Sequence, residues 1–306
     1  MDYVEKIVKK TKLNASEMVK MIGIHRSRYY EWKRRKNMPN QHNHTIPKSH
    51  WILDEEKEGI IHFCKERIKE EGYKRLTYQM IDSNIAFVSE STTYRILKQA
   101  ECVEKKSDRT SSKGKGFKQP LRVHEHWHMD ISYINILGTM FFLICVLDGA
   151  SRYIVHHELR KNMTEFDVEL TLAKALEKYP EARPRLITDN GSQFISKEFK
   201  SFIRFIHFTH VRTSVNYPQS NGKIERFHKT IKKEHVRKKS FLSLHDARGQ
   251  MDKYIEFYNK KRLHSAIGYV TPEDVLKDRK HQIIELRMKK IQEAKKLRRE
   301  FYKKNA

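Results

Sequence analysis

Three acidic residues occupy positions where a carboxylate can do chemistry. Asp130 lies within an alternating segment, Asp189 ends a short apolar run before an Asn-Gly pair, and Glu225 lies early in a basic segment. An acidic side chain in an apolar strand is costly to bury unless it is paired or binds a metal. Carboxylate oxygens are ligands that Mg²⁺ and Mn²⁺ prefer. These contexts favour a divalent-metal site, and the alternative is three ordinary solvated charges.

The segment that carries these acids alternates strand and helix patterns. The order implies an α/β layered domain with a mixed five-stranded sheet and flanking helices. Such a sheet can bring together Asp130 on a central strand, Asp189 at the end of an adjacent strand and Glu225 on a flanking helix. The predicted elements are strands at 126–136, 140–148 and 152–159, a helix at 164–178, a strand at 185–188, a helix at 196–206, a strand at 208–215 and a helix at 220–239.

Positive charge is concentrated outside this block. The 306 residues contain 63 Lys and Arg against 38 Asp and Glu, a net charge of +25. A chain this basic usually binds nucleic acid, whose phosphates favour Lys and Arg through counterion release, and an anionic membrane surface is the weaker alternative. A protein that only coats DNA would have little reason to keep its largest block neutral. The net charges by segment are +7 (1–37), −1 (38–103), +5 (104–122), 0 (123–222), +6 (223–276) and +8 (277–306).

Several classes of protein are disfavoured. No stretch approaches the roughly 18 consecutive apolar residues of a membrane span, and the first residues lack the apolar region of a secretory signal. The three cysteines, Cys64, Cys102 and Cys145, are too far apart for a disulfide framework or a zinc cluster. We therefore expect a cytoplasmic protein with no membrane partner.

The first 37 residues predict a helix-turn-helix. Asn14 is a candidate N-cap in a capping box, and Gly23 suits the tight turn between two short helices. The second helix is basic and carries Arg26 and Arg28, which we expect to contact DNA. The alternative is a solvated amphipathic helix pair.

Residues 53–103 predict a second helix-turn-helix. Ser89 can cap its last helix, on which Ser91, Thr92 and Arg95 are expected to be exposed, with Arg95 a candidate DNA contact. The net charge of −1 in this part of the chain makes purely structural packing an almost equal alternative.

The predicted domains are separated by segments typical of linkers. The segment 38–52 is polar and contains two prolines, and 104–122 is basic and rich in Ser, Gly and Lys. They delimit a core at 123–276. Residues 277–306 are expected to form a basic helical tail that grips DNA or a second subunit.

Motifs around the three acids resemble the catalytic core of bacterial insertion-sequence transposases, specifically the insertion-sequence-three group. That group shares its core with retroviral integrases and has Asp, Asp and, after 35 further residues, Glu. Asp189 and Glu225 have this interval, and Lys232 stands seven residues after the Glu, as in the group. Leu263 and the pair before Asp130 depart from its usual pattern. The resemblance covers about 53–276, through the motifs 127–133 (WHMDISY), 188–194 (TDNGSQF), 218–227 (PQSNGKIERF), 257–264 (FYNKKRLH) and 268–272 (GYVTP).

The resemblance implies a ribonuclease H-like fold and a DDE transposase. Asp130, Asp189 and Glu225 would be the catalytic residues and would hold two Mg²⁺ (or Mn²⁺) ions. Water would first free a 3′-OH at the element end, and that 3′-OH would attack target DNA. The implied partners are double-stranded DNA (terminal inverted repeats and target), further copies of the chain (at least a dimer) and an upstream-frame protein, in a bacterial nucleoid.

Four residues near Glu225 are candidate DNA contacts. Lys229 and Lys232 share its helix face and would bind phosphates, unless they serve only solubility. Tyr217 and Asn221 lie in a segment that resembles a mobile loop meeting DNA.

Two other functions compete with transposition. One is a catalytically silent, domesticated DNA-binding regulator, which the two helix-turn-helix candidates and the charge would also suit. The other is a ribonuclease H-like nuclease acting on RNA–DNA hybrids.

Overall fold

The computed structural model describes residues 2–11, 13–36, 51–103, 122–213 and 221–304. The chain divides into two compact units, Met1–Trp51 with Leu297–Ala306, and Ile52–Lys296. No helix among the described residues is long and apolar enough to cross a membrane.

The first unit contains a small helical cluster. Its described helices are α1 (Asp2–Lys10), α2 (Ala15–Met21) and α3 (Arg26–Arg34). Asn14 and Glu17 form the predicted capping box at the start of α2, and Gly23 has a φ of 74° in the following turn. The helix pair predicted for this segment is therefore confirmed. The additional helix α1 completes a core made of Val4, Met18, Val19 and Tyr29.

A second helical cluster begins the larger unit. Its helices are α4 (Asp54–Lys65), α5 (Ile68–Glu71), α6 (Tyr73–Asp82) and α7 (Glu90–Gln99). The Ser89 side chain accepts a hydrogen bond from the Thr92 N–H, so the predicted cap of α7 is confirmed. Ser91 and Arg95 are exposed, as predicted. The prediction was wrong for Thr92, which is 9% exposed because its hydroxyl lies beside Ser89 at the cap.

The centre of the larger unit is a mixed five-stranded sheet with the order β3-β2-β1-β4-β5. The first three strands are antiparallel, and β4 and β5 run parallel to β1. This is the predicted ribonuclease H-like arrangement, with the strand that carries Asp130 in the middle. The strands are β1 (His126–Ile136), β2 (Thr139–Asp148), β3 (Ile154–Arg160), β4 (Arg185–Thr188) and β5 (Thr209–Arg212).

Helices cover both faces of the sheet. On one face lie α8 (Glu165–Lys178), α9 (Ser192–Ile195) and α10 (Lys197–Phe205), around a core that includes Trp127 and Met129. On the other face lie α11 (Gly222–Glu234) and α12 (Leu244–Lys260), whose core includes Ile134 and Phe227. The first four side chains of β1, His126 to Met129, are thus buried on both faces, whereas Tyr133 and Asn135 further along the strand are exposed.

Two helices end the described chain, α13 (Pro272–Leu276) and α14 (Lys280–Lys304), so the predicted helical tail is confirmed. The guanidinium of Arg287 in α14 binds both carboxylate oxygens of Asp82 in α6, at 2.7 and 2.6 Å. This contact lies within the larger unit, which contains the second helical cluster, the core and the tail as far as Lys296.

Candidate active site

Asp130 lies on β1, and Asp189 directly follows β4, the parallel strand next to β1. The pairing of β1 with β4 ends with His128 opposite Ile187, and each aspartate stands two residues further along. Burial raises the pKa of Asp189, a hydrogen bond from the Gly191 N–H lowers it, and the charge of Asp130 raises it, with a net rise. The two carboxylates are therefore close enough for their charges to interact.

The helix α11 supplies a neighbour to Asp130. His228 Nδ1 lies 3.3 Å from Asp130 Oδ2, and the other carboxylate oxygen, Oδ1, accepts a hydrogen bond from the Ile131 N–H. Glu225 is partly buried on the same helix, one turn before His228, so both face the same side. The helix that carries the third predicted acid therefore packs against the strand that carries the first.

The arrangement of the three acids is incomplete as a metal site. In the part of the chain that the structure describes, no group of three or more His, Cys, Asp or Glu side chains is placed to hold a metal ion. Asp130 and Asp189 nevertheless fit a hard divalent cation. Both offer oxygen ligands, they repel each other, and neither has an ion pair with Lys or Arg among the described residues.

Asp148 shows how a structural carboxylate differs from this pair. It is fully buried, and it accepts hydrogen bonds from the Ser151 N–H and hydroxyl and from the His124 N–H. All three donors lie within 2.8 Å. Its charge is thus satisfied by the protein, whereas Asp189 accepts one backbone hydrogen bond.

Two interacting groups, Lys223 at the start of α11 and His128 on β1, were not predicted as site residues from the sequence. Lys223 Nζ donates a hydrogen bond to the Gly149 carbonyl at 2.9 Å, and burial and the charge of Arg152 lower its pKa to about 7. His128 is fully buried, and burial and the charge of Lys223 lower its pKa to about 3, so it is neutral. The segment NGKIER contains Lys223, but only the packing of α11 shows that this lysine points inward.

The predicted DNA contacts near Glu225 differ in accessibility. Lys229 is exposed and Lys232 partly exposed on α11. Asn221 is only 3% exposed and lies beside His128, so a direct contact with DNA would require its side chain to become accessible. Tyr217 lies outside the described residues.

The predicted contacts in the two helical clusters are all exposed. Arg26 and Arg28 lie on α3, where the Arg26 guanidinium sits 5.7 Å from the centre of the Tyr30 ring. Arg95 lies on α7 and donates a hydrogen bond to the Thr92 hydroxyl at 3.3 Å. Their role as DNA contacts stays a prediction.

Comparisons with known proteins agree with this geometry. Two sequence profiles, both described as an integrase core domain, match residues 120–218 and 207–272. The chain is 31% identical over 150 residues to the transposase for insertion sequence element IS904 of Lactococcus lactis, a match that covers 48% of this chain and 59% of that protein. It is 34% identical over 103 residues to the transposase InsD for insertion element IS2D of Escherichia coli, covering 33% of each. These matches span less than two thirds of either relative.

A solved structure is also similar. The HTLV-2 integrase catalytic core domain in complex with magnesium (dimeric form) has a TM-score of 0.41 and 19% identity, covering 51% of this chain and 97% of that one.

The sheet order, the paired aspartates and the two profile matches define an integrase core domain. The chain therefore contains an integrase core domain over residues 120–272, and the relatives that it matches include transposases of insertion elements.

Proposed function

We propose that this protein is a metal-dependent transposase that cleaves DNA strands at the ends of an insertion element and joins the freed 3′-OH to target DNA. The observation that carries the proposal is the placement of Asp130 on β1 near Asp189, which directly follows the neighbouring parallel strand β4, in an integrase core domain. Metal-assisted displacement at a phosphodiester needs ligands that hold the ions, and carboxylates are the ligands that Mg²⁺ takes in proteins.

Asp130, Asp189 and Glu225 are the residues that we propose to hold two Mg²⁺ (or Mn²⁺) ions. When bound, two such ions activate the attacking oxygen and stabilise the leaving oxygen of an in-line displacement. Asp130 and Asp189 offer their oxygens from neighbouring strands, and His228 fixes the orientation of Asp130. Glu225 would approach from α11.

The proposed reaction has two displacements. Water attacks a phosphodiester at the element end, and the bond to the 3′ oxygen breaks to leave a 3′-OH. That 3′-OH then attacks a target phosphodiester, so each step exchanges one P–O bond for another. Neither step needs a covalent intermediate with a protein side chain.

The proposed partners are double-stranded DNA and further copies of the chain. Element ends and target must meet in one complex, which argues for at least a dimer. The upstream-frame partner and the place in a bacterial nucleoid stay predictions.

The test is a cleavage and strand-transfer assay on duplexes that carry the element ends. Asp130→Asn should lower both activities by more than about 100-fold, because it removes a proposed metal ligand, and should leave DNA binding intact. Asp252→Asn, a change on the 67% exposed Asp252, is the matched control and should stay active.

Cleavage by Asp130→Asn in Mg²⁺, or by the unchanged protein in EDTA, would overturn the assignment. Binding of the element ends without any cleavage in Mg²⁺ or Mn²⁺ would instead favour the silent regulator.

A further inference from the structure

A cleft of about 810 Å³ lies within the larger unit, outside the paired aspartates. The start of α6 forms one side, α11 contributes Arg226 and Thr230, and the segment after α12 contributes Arg262 and His264. Its volume is in the range of small-ligand sites, roughly 300–1,000 Å³, so it can take a short stretch of one strand but not a whole duplex.

Two arginines share one carboxylate at this cleft. Arg262 donates to both oxygens of Glu234 at 2.8 and 2.7 Å, and Arg75 Nη2 lies 3.8 Å from the same side chain. Burial and the neighbouring Arg262 lower the pKa of Arg75, although a guanidinium stays charged at neutral pH. Arg75, Arg262 and Glu234 together therefore carry a net charge of +1.

Arg226 adds a second positive charge. It is exposed and has no acidic partner among the residues that the structure describes. Glu71 also lines the cleft, but its carboxylate accepts hydrogen bonds from Arg67 and from Gln79. Arg67 therefore offsets the charge of Glu71, although Glu71 also acts on Arg75.

Lys74 also lines the cleft, but its charge is balanced by Glu90, whose carboxylate lies 3.2 Å from Lys74 Nζ, and the other walls are neutral. Burial and the charge of Arg262 lower the pKa of His264 to about 3, so this histidine carries no charge at neutral pH. Tyr73 and Tyr269 line the same cleft and offer aromatic surfaces of the kind on which sugars and bases pack.

We propose that this cleft binds a phosphodiester segment of the DNA that the protein acts on, held by Arg75, Arg226 and Arg262. A guanidinium matches a phosphate with two parallel hydrogen bonds, and the two uncompensated charges favour an anion. Arg226 directly follows Glu225 in α11, so the bound strand would run beside the helix that carries the third proposed catalytic acid. This inference rests on the proposed function and extends it to a strand-binding site.

Salt dependence of DNA binding tests the proposal. A fluorescent 30-base-pair duplex would be titrated with the full chain at several salt concentrations. Arg226→Ala should weaken binding about 10-fold and reduce the slope of log K against log salt by about 1, since one phosphate contact is lost. Arg226→Lys keeps the charge and should recover most of the slope.

Two further variants sharpen the result. When Arg75→Gln is combined with Arg226→Ala, the slope of log K against log salt should decrease further than in Arg226→Ala alone. Circular dichroism checks that the double variant folds. Arg204→Ala is the matched control, because Arg204 is exposed on α10, outside the cleft residues. An unchanged slope for Arg226→Ala, or an equal change for Arg204→Ala, would overturn the proposal.

The source of the phosphate is tested separately. At matched ionic strength, inorganic phosphate should compete with the duplex only weakly, because one ion replaces one of many contacts. If inorganic phosphate binds to the cleft but Arg226→Ala leaves DNA binding unchanged, the cleft is a site for a free anion. That result contradicts the proposal.

Failure of this inference is distinguishable from failure of the proposed function. Asp130→Asn should keep the normal salt slope while losing cleavage. If the protein never cleaves DNA but Arg226→Ala still removes one phosphate contact, the cleft proposal holds and the transposase assignment fails.

Discussion

His228 Nδ1 lies 3.3 Å from Asp130 Oδ2, and this contact joins helix α11 to the central strand of the sheet. Both side chains are mostly buried, at 8% and 15% exposure. Because Glu225 precedes His228 by one helical turn, the same contact also fixes the position of Glu225 relative to the sheet. His228 therefore acts on the proposed site through Asp130, as a positioning residue.

Replacing His228 should weaken metal-dependent cleavage without abolishing DNA binding. His228→Ala should lower the cleavage rate by about 10–100-fold and raise the Mg²⁺ concentration needed for half-maximal rate, as loss of a partner to a metal ligand does. His228→Asn places an amide nitrogen near the position of Nδ1 and should recover part of the rate. A Mg²⁺ dependence unchanged in His228→Ala would contradict a positioning role.

Local patterns were enough to predict most elements of this fold. The alternation along β1 and the apolar run of β2 predict strands because each strand faces a core, and both are confirmed. Asn14 and Ser89 were predicted as helix caps, and both side chains accept the expected backbone hydrogen bond. Such features depend on residues three or four positions apart, so one segment contains the whole interaction.

The site was predictable only in part, for a physical reason. The order of strands already implied that Asp130 and Asp189 come close. The contact of His228 with Asp130 and the inward direction of Lys223 depend on how α11 rotates against the sheet. That rotation is set by long-range packing, including the burial of Phe227, which no local pattern specifies.

The ion pair of Arg287 with Asp82 should contribute strongly to stability. Arg287 is 4% exposed, binds Asp82 with two hydrogen bonds, donates to the Tyr269 carbonyl and lies 5.0 Å from the Tyr78 ring centre. Arg287→Ala should lower the free energy of unfolding by about 2–4 kcal/mol, measured by urea denaturation, because it leaves Asp82 without its partner.

The matched control for that change is Lys289→Ala. Lys289 forms an exposed ion pair with Glu285 in the same helix, and its loss should cost less than about 1 kcal/mol. Equal losses for the two variants would show that the Arg287 contact adds nothing beyond a surface pair.

Asn259 should stabilise strand β3 through its side-chain amide. Its Oδ1 accepts from the Ile154 N–H at 2.9 Å and its Nδ2 donates to the Ile154 carbonyl at 3.0 Å, so it acts as a strand partner. Asn259→Ala should cost about 2–3 kcal/mol and speed hydrogen exchange at the Ile154 amide, since two buried backbone groups lose their partner. Lys260→Ala, at the next and exposed position, should leave that exchange rate unchanged; equal protection in Asn259→Ala would contradict this role.

The lowered pKa of Glu234 predicts that the free energy of unfolding depends on pH. Burial acts to raise its pKa, but hydrogen bonds from Arg262 and Tyr254 and the charge of Arg75 lower it overall. A carboxyl whose folded pKa is depressed stabilises the protein above its unfolded pKa of about 4.3, and this contribution is lost as the pH falls through the folded pKa. Glu234→Gln should therefore lose about 2 kcal/mol at pH 7 and nearly as much at pH 5, but progressively less below pH 4. Urea midpoints of both proteins at several pH values measure this difference, and a difference that grows on acidification would show that the Glu234 carboxylate is not the stabilising form.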